Sequence, residues 1–246
     1  MKFAVISDIH GNYEAFINVL EDIEKIGVKC IFSLGDNIGY GADSEKVIQL
    51  IHSRKIVSVL GNHELAALDR RVRSWFNKDA AKAIEVAIKS LSKESSAFLQ
   101  TLQLNLSFNN CFFVHGFWPN SVRLYIHEID EGRFLKTFDT MSESICFVGH
   151  THKLNLVYPG NSRIYWEKLE RGKITLKTDK KYFINAGSVG QPRDGSSKAQ
   201  YVIWDPEGLE LEVRAVSYDV KKAAQKIIAC GIPERYARIL EGRIAL

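Results

Sequence analysis

The sequence lacks the cysteine spacing that is typical of a structural zinc site. Its four cysteines are far apart and form no Cys-x-x-Cys pair. They are Cys30, Cys111, Cys146 and Cys230, and the first three lie in apolar, strand-like runs. We therefore expect reduced thiols in a reducing cytoplasm. A chain of 246 residues can bury enough apolar surface to fold without disulfides.

A strong net charge and long apolar runs are missing as well. The formal net charge of +4 is too small and too dispersed to predict binding to nucleic acid or to a membrane, although it weakly suits an anionic substrate. No apolar run approaches the length of a membrane span, and the apolar stretch near the N-terminus is too short for a signal peptide. We expect a cytoplasmic protein without a membrane or nucleic-acid partner.

Internal repeats, low-complexity tracts and Pro/Gly/Ser-rich linkers are also absent, which indicates one domain over residues 1–246. Strand and helix patterns alternate at the start of the chain and predict a β-α-β-α-β opening. Its strands are predicted at residues 2–7, 30–34 and 56–60. Its first helix is predicted at residues 12–26, where Gly27 ends it, and Ser44 is expected to cap a second helix that runs to about residue 51.

Residues 65–104 are predicted to form a helical insertion that makes a wall or lid over the functional site. Asn77 and Ser92 are the expected N-caps of its helices. Trp75 and Phe76 could stack on a base there. Three arginines of the same segment, Arg70, Arg71 and Arg73, could meet phosphate. The alternatives, which we favour, are a solvated face for these arginines and core packing for the two aromatic residues.

The remainder of the chain is richer in strands. We predict them at residues 112–114, 145–148, 154–158, 183–185 and 200–204. Two further strands, at residues 163–168 and 174–178, flank a Glu-Arg-Gly-Lys segment that favours a hairpin turn. A helix at residues 220–229 and a shorter one near Glu234 are predicted at the end.

Five clusters of Asp, Asn and His share one context, because each follows directly after a short apolar run. The clusters are Ser7-Asp8-Ile9-His10-Gly11-Asn12, Gly35-Asp36-Asn37, Gly61-Asn62-His63-Glu64, His115-Gly116 and Gly149-His150-Thr151-His152. Ligand sites in layered sheets gather at the carboxyl ends of strands. Any one of these clusters alone is more often a turn or a cap, but five of them at strand ends indicate a common site.

Carboxylates and imidazoles that converge in this way lose hydration, and metal cations can compensate for that loss. In a strand, residues i and i+2 lie on the same face, so each Asp-x-His or His-x-His pair can offer two ligands to one side. The mixture of carboxylate, amide and imidazole suits Mn, Fe, Zn, Co or Ni better than Ca or Mg. The number of ligands fits two ions roughly 3.5–4 Å apart. The predicted ligands are Asp8, His10, Asp36, Asn62, His115, His150 and His152.

These motifs, in this order, resemble those of the calcineurin-like metallophosphoesterase superfamily. The later segment Asn185-Ala186-Gly187-Ser188-Val189-Gly190-Gln191-Pro192-Arg193 also resembles a loop of bacterial and archaeal members. The resemblance implies an α/β fold of four layers, an α-β-β-α sandwich in which helices flank two mixed sheets. It also implies two divalent metal ions as cofactors, with manganese the first choice and Fe, Zn, Ni or Co as alternatives.

The resemblance further implies a role for each site residue. One metal would be held by Asp8, His10 and His152, the other by Asn62, His115 and His150, and Asp36 would bridge the two. His63 would not bind metal but would face the phosphate, so that His63, Asp36 and Asn62 form the catalytic group. Glu64 would either orient His63 or only start the helix.

The expected activity is hydrolysis of a phosphomonoester or phosphodiester bond in a small substrate, possibly a nucleotide. Two cations would lower the pKa of a bridging water to near neutrality, and the resulting hydroxide would attack phosphorus. His63 would stabilise the developing charge or protonate the leaving group. Two alternatives remain: a nuclease of the same superfamily, which the weak net charge disfavours, and an inert scaffold, which the complete ligand set disfavours.

One departure from the family pattern bears on the substrate. Protein serine/threonine phosphatases and symmetrical dinucleoside-tetraphosphate hydrolases carry Gly-Asp-x-x-Asp-Arg-Gly at the second motif. Here Gly39 and Tyr40 replace that Asp and the phosphate-binding Arg, so a bidentate guanidinium clamp is lost. We therefore expect no protein-phosphatase activity. The candidate substrate contacts are Arg193, Tyr40 and Trp75.

Overall fold

The computed structural model describes residues 1–161 and 163–244, and within them the chain forms two six-stranded sheets. The strands are β1 (Phe3–Ile6), β2 (Cys30–Ser33), β3 (Val57–Ser58), β4 (Asn105–Phe108), β5 (Cys111–Val114), β6 (Ile145–Val148), β7 (Leu154–Pro159), β8 (Ile164–Lys168), β9 (Gly172–Thr175), β10 (Tyr182–Ala186), β11 (Ala199–Asp205) and β12 (Glu210–Val216). The helices are α1 (Tyr13–Ile26), α2 (Ser44–Ser53), α3 (Asn62–Leu68), α4 (Lys78–Ser90), α5 (Lys93–Thr101), α6 (Glu131–Thr140), α7 (Val220–Ala229) and α8 (Arg235–Leu240), with 3₁₀ turns at Arg70–Trp75 and Ile126–Glu128.

Both sheets are mixed. The first sheet has the order β3-β2-β1-β11-β12-β9, in which β1, β2 and β3 are parallel and β11 and β12 are antiparallel to their neighbours. The second has the order β4-β5-β6-β10-β7-β8, with β5, β6 and β10 parallel. Parallel neighbours bring the carboxyl ends of β1 to β3, and those of β5 and β6, to one edge of each sheet.

Side chains along each strand point alternately to the two faces of the sheet, and each face packs against a different layer. Phe3 and Val5 of β1 belong to the apolar core between the sheets, which also contains Phe147 of β6. The intervening Ala4 and Ile6 face the other way and pack in a core with residues of α1 and α2, as a two-residue period requires. The outer face of the second sheet packs against α6. The predicted four-layer sandwich of two mixed sheets with helices outside is confirmed.

The predicted caps are confirmed with one exception. Asn77 and Ser92 cap α4 and α5 through their side chains. Asn12, predicted as the first residue of α1, instead precedes the helix and caps it by accepting from the backbone N of Ala15 at 3.1 Å. Ser44 is wrong as a cap, because it is already the first residue of α2 and Asp43 precedes the helix. The helix that follows β3 begins at Asn62 and not at residue 65, so the motif residues 62–64 form its first turn.

The predicted hairpin at residues 163–178 is wrong. β8 pairs with β7 in the second sheet, whereas β9 pairs with β12 in the first sheet. The intervening segment crosses from one sheet to the other, because Leu169 and Leu176 on either side of β9 are both buried in the core between the sheets. Burial of these two leucines decides the path of the chain, and the local turn signal does not.

Two further findings concern the thiols and the helices. All four cysteines are free, and Cys111 and Cys146 are buried. Over the described part of the chain, none of the helices is both long enough and apolar enough to cross a lipid bilayer.

Candidate metal centre

The five polar clusters meet at the edge where the carboxyl ends of β1, β2, β3, β5 and β6 lie together. The structure brings all seven predicted ligands into one buried group, and each has at most 7% of its surface exposed. Three groups of donor atoms there are compact enough to hold a metal ion: Asp8 with His10 and His152, Asp36 with His115 and His150, and His10 with Asp36 and His63. The first two contain only predicted ligands and are described below as the two donor sets.

The first set consists of Asp8, His10 and His152. The Oδ1 atom of Asp8 lies 3.6 Å from Nε2 of His10 and 3.3 Å from Nε2 of His152, and the two ring nitrogens are 3.2 Å apart. The other carboxylate oxygen of Asp8 accepts from the Ser7 hydroxyl at 2.6 Å. Oδ1 is buried without a hydrogen-bond partner among the described residues, and a cation at this position would satisfy it.

The second set surrounds His115. Its Nε2 atom lies 3.3 Å from Oδ2 of Asp36, 3.1 Å from Nδ1 of His150 and 2.9 Å from Oδ1 of Asn62. Oδ2 of Asp36 is also 3.8 Å from Nε2 of His10, so this carboxylate lies between the two sets. The arrangement fits the predicted bridging position of Asp36.

Four imidazoles are oriented by the same kind of hydrogen bond. In each ring, the nitrogen that points away from the centre is bonded to a backbone carbonyl oxygen. The pairs are His10 Nδ1 with Ile38 O at 3.1 Å, His115 Nδ1 with Leu34 O at 2.8 Å, His150 Nε2 with Arg123 O at 3.1 Å and His152 Nδ1 with Gln191 O at 2.7 Å. A carbonyl only accepts, so the outer nitrogen carries the proton and the inner one presents its lone pair when the ring is neutral. His63 differs, since its buried Nδ1 has no partner among the described residues.

Burial and charge set the protonation of the centre. Burial lowers the pKa of His150 to about 3 and that of His152 to about 4, so both rings are neutral at neutral pH. Burial alone would raise the pKa of the Asp36 carboxyl, but the charge of His115 opposes this and helps to hold the pKa below its ordinary value. Burial opposes protonation of His115 too, yet Asp36 raises its pKa to about 9. A metal ion bound by Nε2 of His115 at neutral pH would therefore displace a proton from this ring.

The Asp-x-His and His-x-His pairs do not have the strand conformation that the two-residue spacing predicts. Strands β1 and β6 end before them, and the φ angles are 53° at Asp8, 48° at His10, 65° at His150 and 58° at His152. These left-handed angles are uncommon outside glycine. Neighbouring loops hold them, for example through the backbone N of Asp8, which donates to Gly35 O at 3.1 Å.

Glu64 holds the loop that carries Asp36. Its carboxylate accepts from the backbone N of Gly61 at 2.9 Å, which confirms its role at the start of α3. It also accepts from the backbone N of Asp36, Asn37 and Ile38 at 2.8, 2.6 and 3.2 Å. One buried side chain therefore fixes the turn after β2 against the first turn of α3.

Replacing Glu64 with alanine is expected to lower the free energy of unfolding by about 3–5 kcal/mol, because four buried N–H groups lose their acceptor. Urea unfolding of the two proteins measures this. The exposed Glu85 of α4 provides the control, and Glu85→Ala should change the value by no more than about 0.5 kcal/mol. Equal midpoints for the two variants would show that Glu64 does not hold this turn.

Aromatic rings surround His63. The Tyr40 ring lies 4.6 Å from the His63 ring and 4.4 Å from the His10 ring, and its other neighbour is the Tyr236 ring of α8 at 4.5 Å. Phe76 meets His63 edge-on at 5.1 Å. Gly39 completes the enclosure, because a Cβ atom at this position would lie 2.1 Å from Nδ1 of His63.

A cavity of about 340 Å³ opens over the centre. Its lining includes Asp36, His63, His150 and His152 of the centre. The three candidate substrate contacts, Arg193, Tyr40 and Trp75, line the same cavity, and so does Phe76.

The arginines of the helical segment do not line this cavity. Arg71 pairs with Asp69 at 2.7 Å, and Nε of Arg73 donates to Ala66 O at 3.0 Å. The favoured solvated face holds for Arg70 and Arg71, which are exposed, and the alternative in which the three arginines meet phosphate is wrong for this cavity. Arg123, Tyr125 and Glu128 also line the cavity, from a segment that the sequence did not single out. The Tyr125 ring stacks on the His150 ring with 4.1 Å between the ring centroids, but no local sequence motif predicts this contact.

Comparison with known proteins agrees with this geometry. The family model of the calcineurin-like phosphoesterase superfamily domain matches residues 1–208. An uncharacterised protein of Methanocaldococcus jannaschii is 40% identical over 237 residues, covering 94% of this chain and 93% of that protein. The symmetrical bis(5'-nucleosyl)-tetraphosphatase of Wigglesworthia glossinidia brevipalpis is 44% identical over 72 residues, 28% of this chain and 26% of that protein.

A solved structure extends the likeness over the whole chain. The metallophosphoesterase of Sphaerobacter thermophilus superposes with a TM-score of 0.85 at 28% identity and covers 99% of both chains. The chain belongs to the calcineurin-like phosphoesterase superfamily and is a metal-dependent phosphoesterase.

Proposed function

We propose that the protein is a phosphohydrolase that uses two divalent metal ions, with manganese the first choice, to cleave a phosphomonoester or phosphodiester bond of a small substrate. The unpartnered Oδ1 of Asp8, which faces His10 and His152, supports this proposal most directly. The second ion would be held by Asn62, His115 and His150, with Asp36 shared between the ions. When bound, such a pair of ions lowers the pKa of water and neutralises phosphate charge.

His63 is the proposed catalytic group beside the metals. Its Nε2 lies 3.8 Å from Oδ2 of Asp36, while Nδ1 lies against Gly39. Burial lowers the pKa of His63 well below its ordinary value, which disfavours an imidazolium that would transfer a proton. We therefore assign to His63 a hydrogen bond from Nε2 to the oxygen on which negative charge develops.

Arg193 is the proposed phosphate-binding residue. It lies in the cavity beside Tyr40, the residue that replaces the family's arginine, and its Nε is buried without a partner in the described part of the chain. A guanidinium with free donors binds phosphate with two parallel hydrogen bonds. Arg193 would thus supply, from the loop after β10, the group that is missing at position 40, and the Tyr40 hydroxyl would assist it.

The test combines metal analysis with hydrolysis of p-nitrophenyl phosphate and bis-p-nitrophenyl phosphate after loading with Mn. We expect about two ions per chain, and the faster substrate distinguishes a monoesterase from a diesterase. His63→Ala should keep its metal but lose about 10²–10⁴-fold in kcat. The control is His52→Ala, since His52 lies on α2 against Phe98 and outside the cavity. Wild-type protein that takes up no metal and hydrolyses neither ester would refute the proposal.

A further inference from the structure

Arg123 is a guanidinium in the cavity that the roles above leave unused. It lies after β5 in the loop that also carries Tyr125, and it lines the same cavity as Arg193. In residues 1–161 and 163–244 its side chain makes no ion pair, and its one partner is the face of the Trp75 ring at 4.9 Å. Even Glu128, which shares the cavity, does not pair with it. All five of its N–H donors therefore remain available.

Both ends of Arg123 are held in place. Its backbone carbonyl accepts from Nε2 of His150 at 3.1 Å, and its backbone N donates to the Ser121 hydroxyl at 3.2 Å. The guanidinium lies over the ring of Trp75, which belongs to the 3₁₀ turn at Arg70–Trp75. A guanidinium over an aromatic face can still donate its N–H groups to an anion, and the ring limits its movement.

Arg193 is connected to the other donor set in a comparable way. Its backbone N donates to His152 O at 3.3 Å, so each of the two arginines is one hydrogen bond away from a proposed metal ligand. Two metal ions and Arg193 already supply enough positive charge for the phosphate that is cleaved. The unpaired guanidinium of Arg123 therefore adds more positive charge to the cavity than one phosphate needs for its binding.

We propose that Arg123 binds a second anionic group of the substrate, a phosphate or a carboxylate, and that Trp75 holds this guanidinium instead of stacking on a base. The inference rests on the phosphohydrolase function proposed above and narrows its substrates to small phosphate esters with two anionic groups. Arg123 determines specificity, and Trp75 is a positioning residue.

Calorimetric titration of the Mn-loaded protein with two phosphonates tests this. 3-Phosphonopropionate and propylphosphonate differ by one carboxylate, and we expect wild type to bind the former about ten-fold more tightly, the increment of one charge-assisted contact. In Arg123→Ala this ratio should fall below about two-fold, and in Trp75→Leu it should fall to about three-fold because the guanidinium loses its support. The matched control is Arg163→Ala, whose guanidinium lies 4.8 Å over the Tyr165 ring outside the cavity and whose loss should leave the ratio unchanged.

Equal affinity of wild type for the two phosphonates, or an unchanged ratio in Arg123→Ala, would overturn the role of Arg123. An unchanged ratio in Trp75→Leu would overturn the positioning role of Trp75. Hydrolysis of p-nitrophenyl phosphate by the same preparations distinguishes failure of the role proposed for Arg123 from failure of the proposed phosphohydrolase function. Active protein without the carboxylate preference refutes only the second anionic group, whereas inactive protein that binds neither phosphonate refutes both.

Discussion

Replacing Asp36 with asparagine is expected to lower kcat/KM more than about a thousand-fold, because several kcal/mol of metal-derived stabilisation depend on this carboxylate. Asp36 lies 3.3 Å from His115 and 3.8 Å from His10, one residue from each donor set. Asparagine keeps the oxygen that accepts from the backbone N of His63 at 2.8 Å, so the loop keeps its hydrogen bond while the shared negative charge is lost.

Metal content and kinetics should therefore change together in Asp36→Asn. We expect the metal content to fall below one ion per chain by mass spectrometry, alongside the loss of p-nitrophenyl phosphate hydrolysis. Asp205→Asn is the control, because Asp205 pairs with Lys2 at 3.2 Å at the opposite end of β1. An Asp36→Asn protein that retains two ions and full activity would remove Asp36 from the proposed centre.

Replacing Gly39 with alanine is expected to lower kcat by about 100-fold or more, since misplacing a catalytic group by about 1 Å can cost that much. The new Cβ would lie 2.1 Å from Nδ1 of His63, so either the ring or the loop must move. The φ angle of +87° at Gly39 adds backbone strain of about 1 kcal/mol.

Gly27→Ala is the control that distinguishes the effect of backbone strain from that of the clash with His63. Its φ of +79° is similar, but a Cβ atom there meets nothing within 4 Å. Gly27→Ala should therefore lose a similar amount of stability in urea and keep its kcat, whereas Gly39→Ala should lose both. Normal turnover in Gly39→Ala would show that the position of His63 does not limit catalysis.

The meeting of the polar clusters at one site could be predicted from the sequence because its signals are local. Each polar cluster directly follows a short apolar run, and the strand ends bring them together once the sheets form. The conformation of the ligands could not be predicted in this way. The spacing of Asp8 and His10 suggests a strand, but the left-handed φ angles depend on hydrogen bonds to loops that follow other strands.

The elements that could not be predicted from the sequence are those that are stabilised by residues far away in the chain. Strand β12 carries Glu212 and Arg214 among its apolar residues, and charged residues are uncommon in strands. Arg214 is satisfied there by Asp22 of α1 at 2.8 Å, a contact across 192 residues. Strand β4 is short and lies at a sheet edge, and helix α6 was likewise not expected. The cavity wall follows the same rule, since Arg123 reaches Trp75 only through the tertiary fold.

The division of the proposed ligands between the two sheets has a consequence for folding. Asp8, His10, Asp36 and Asn62 follow strands of the first sheet, while His115, His150 and His152 follow strands of the second. Each donor set combines residues from both, so each bound ion would act as a cross-link across the sandwich. Metal binding and folding are then thermodynamically linked, and each ten-fold rise in free metal above the dissociation constant adds about 1.4 kcal/mol per ion to the free energy of unfolding. The melting temperature of this protein is then a property of the protein together with its metal buffer.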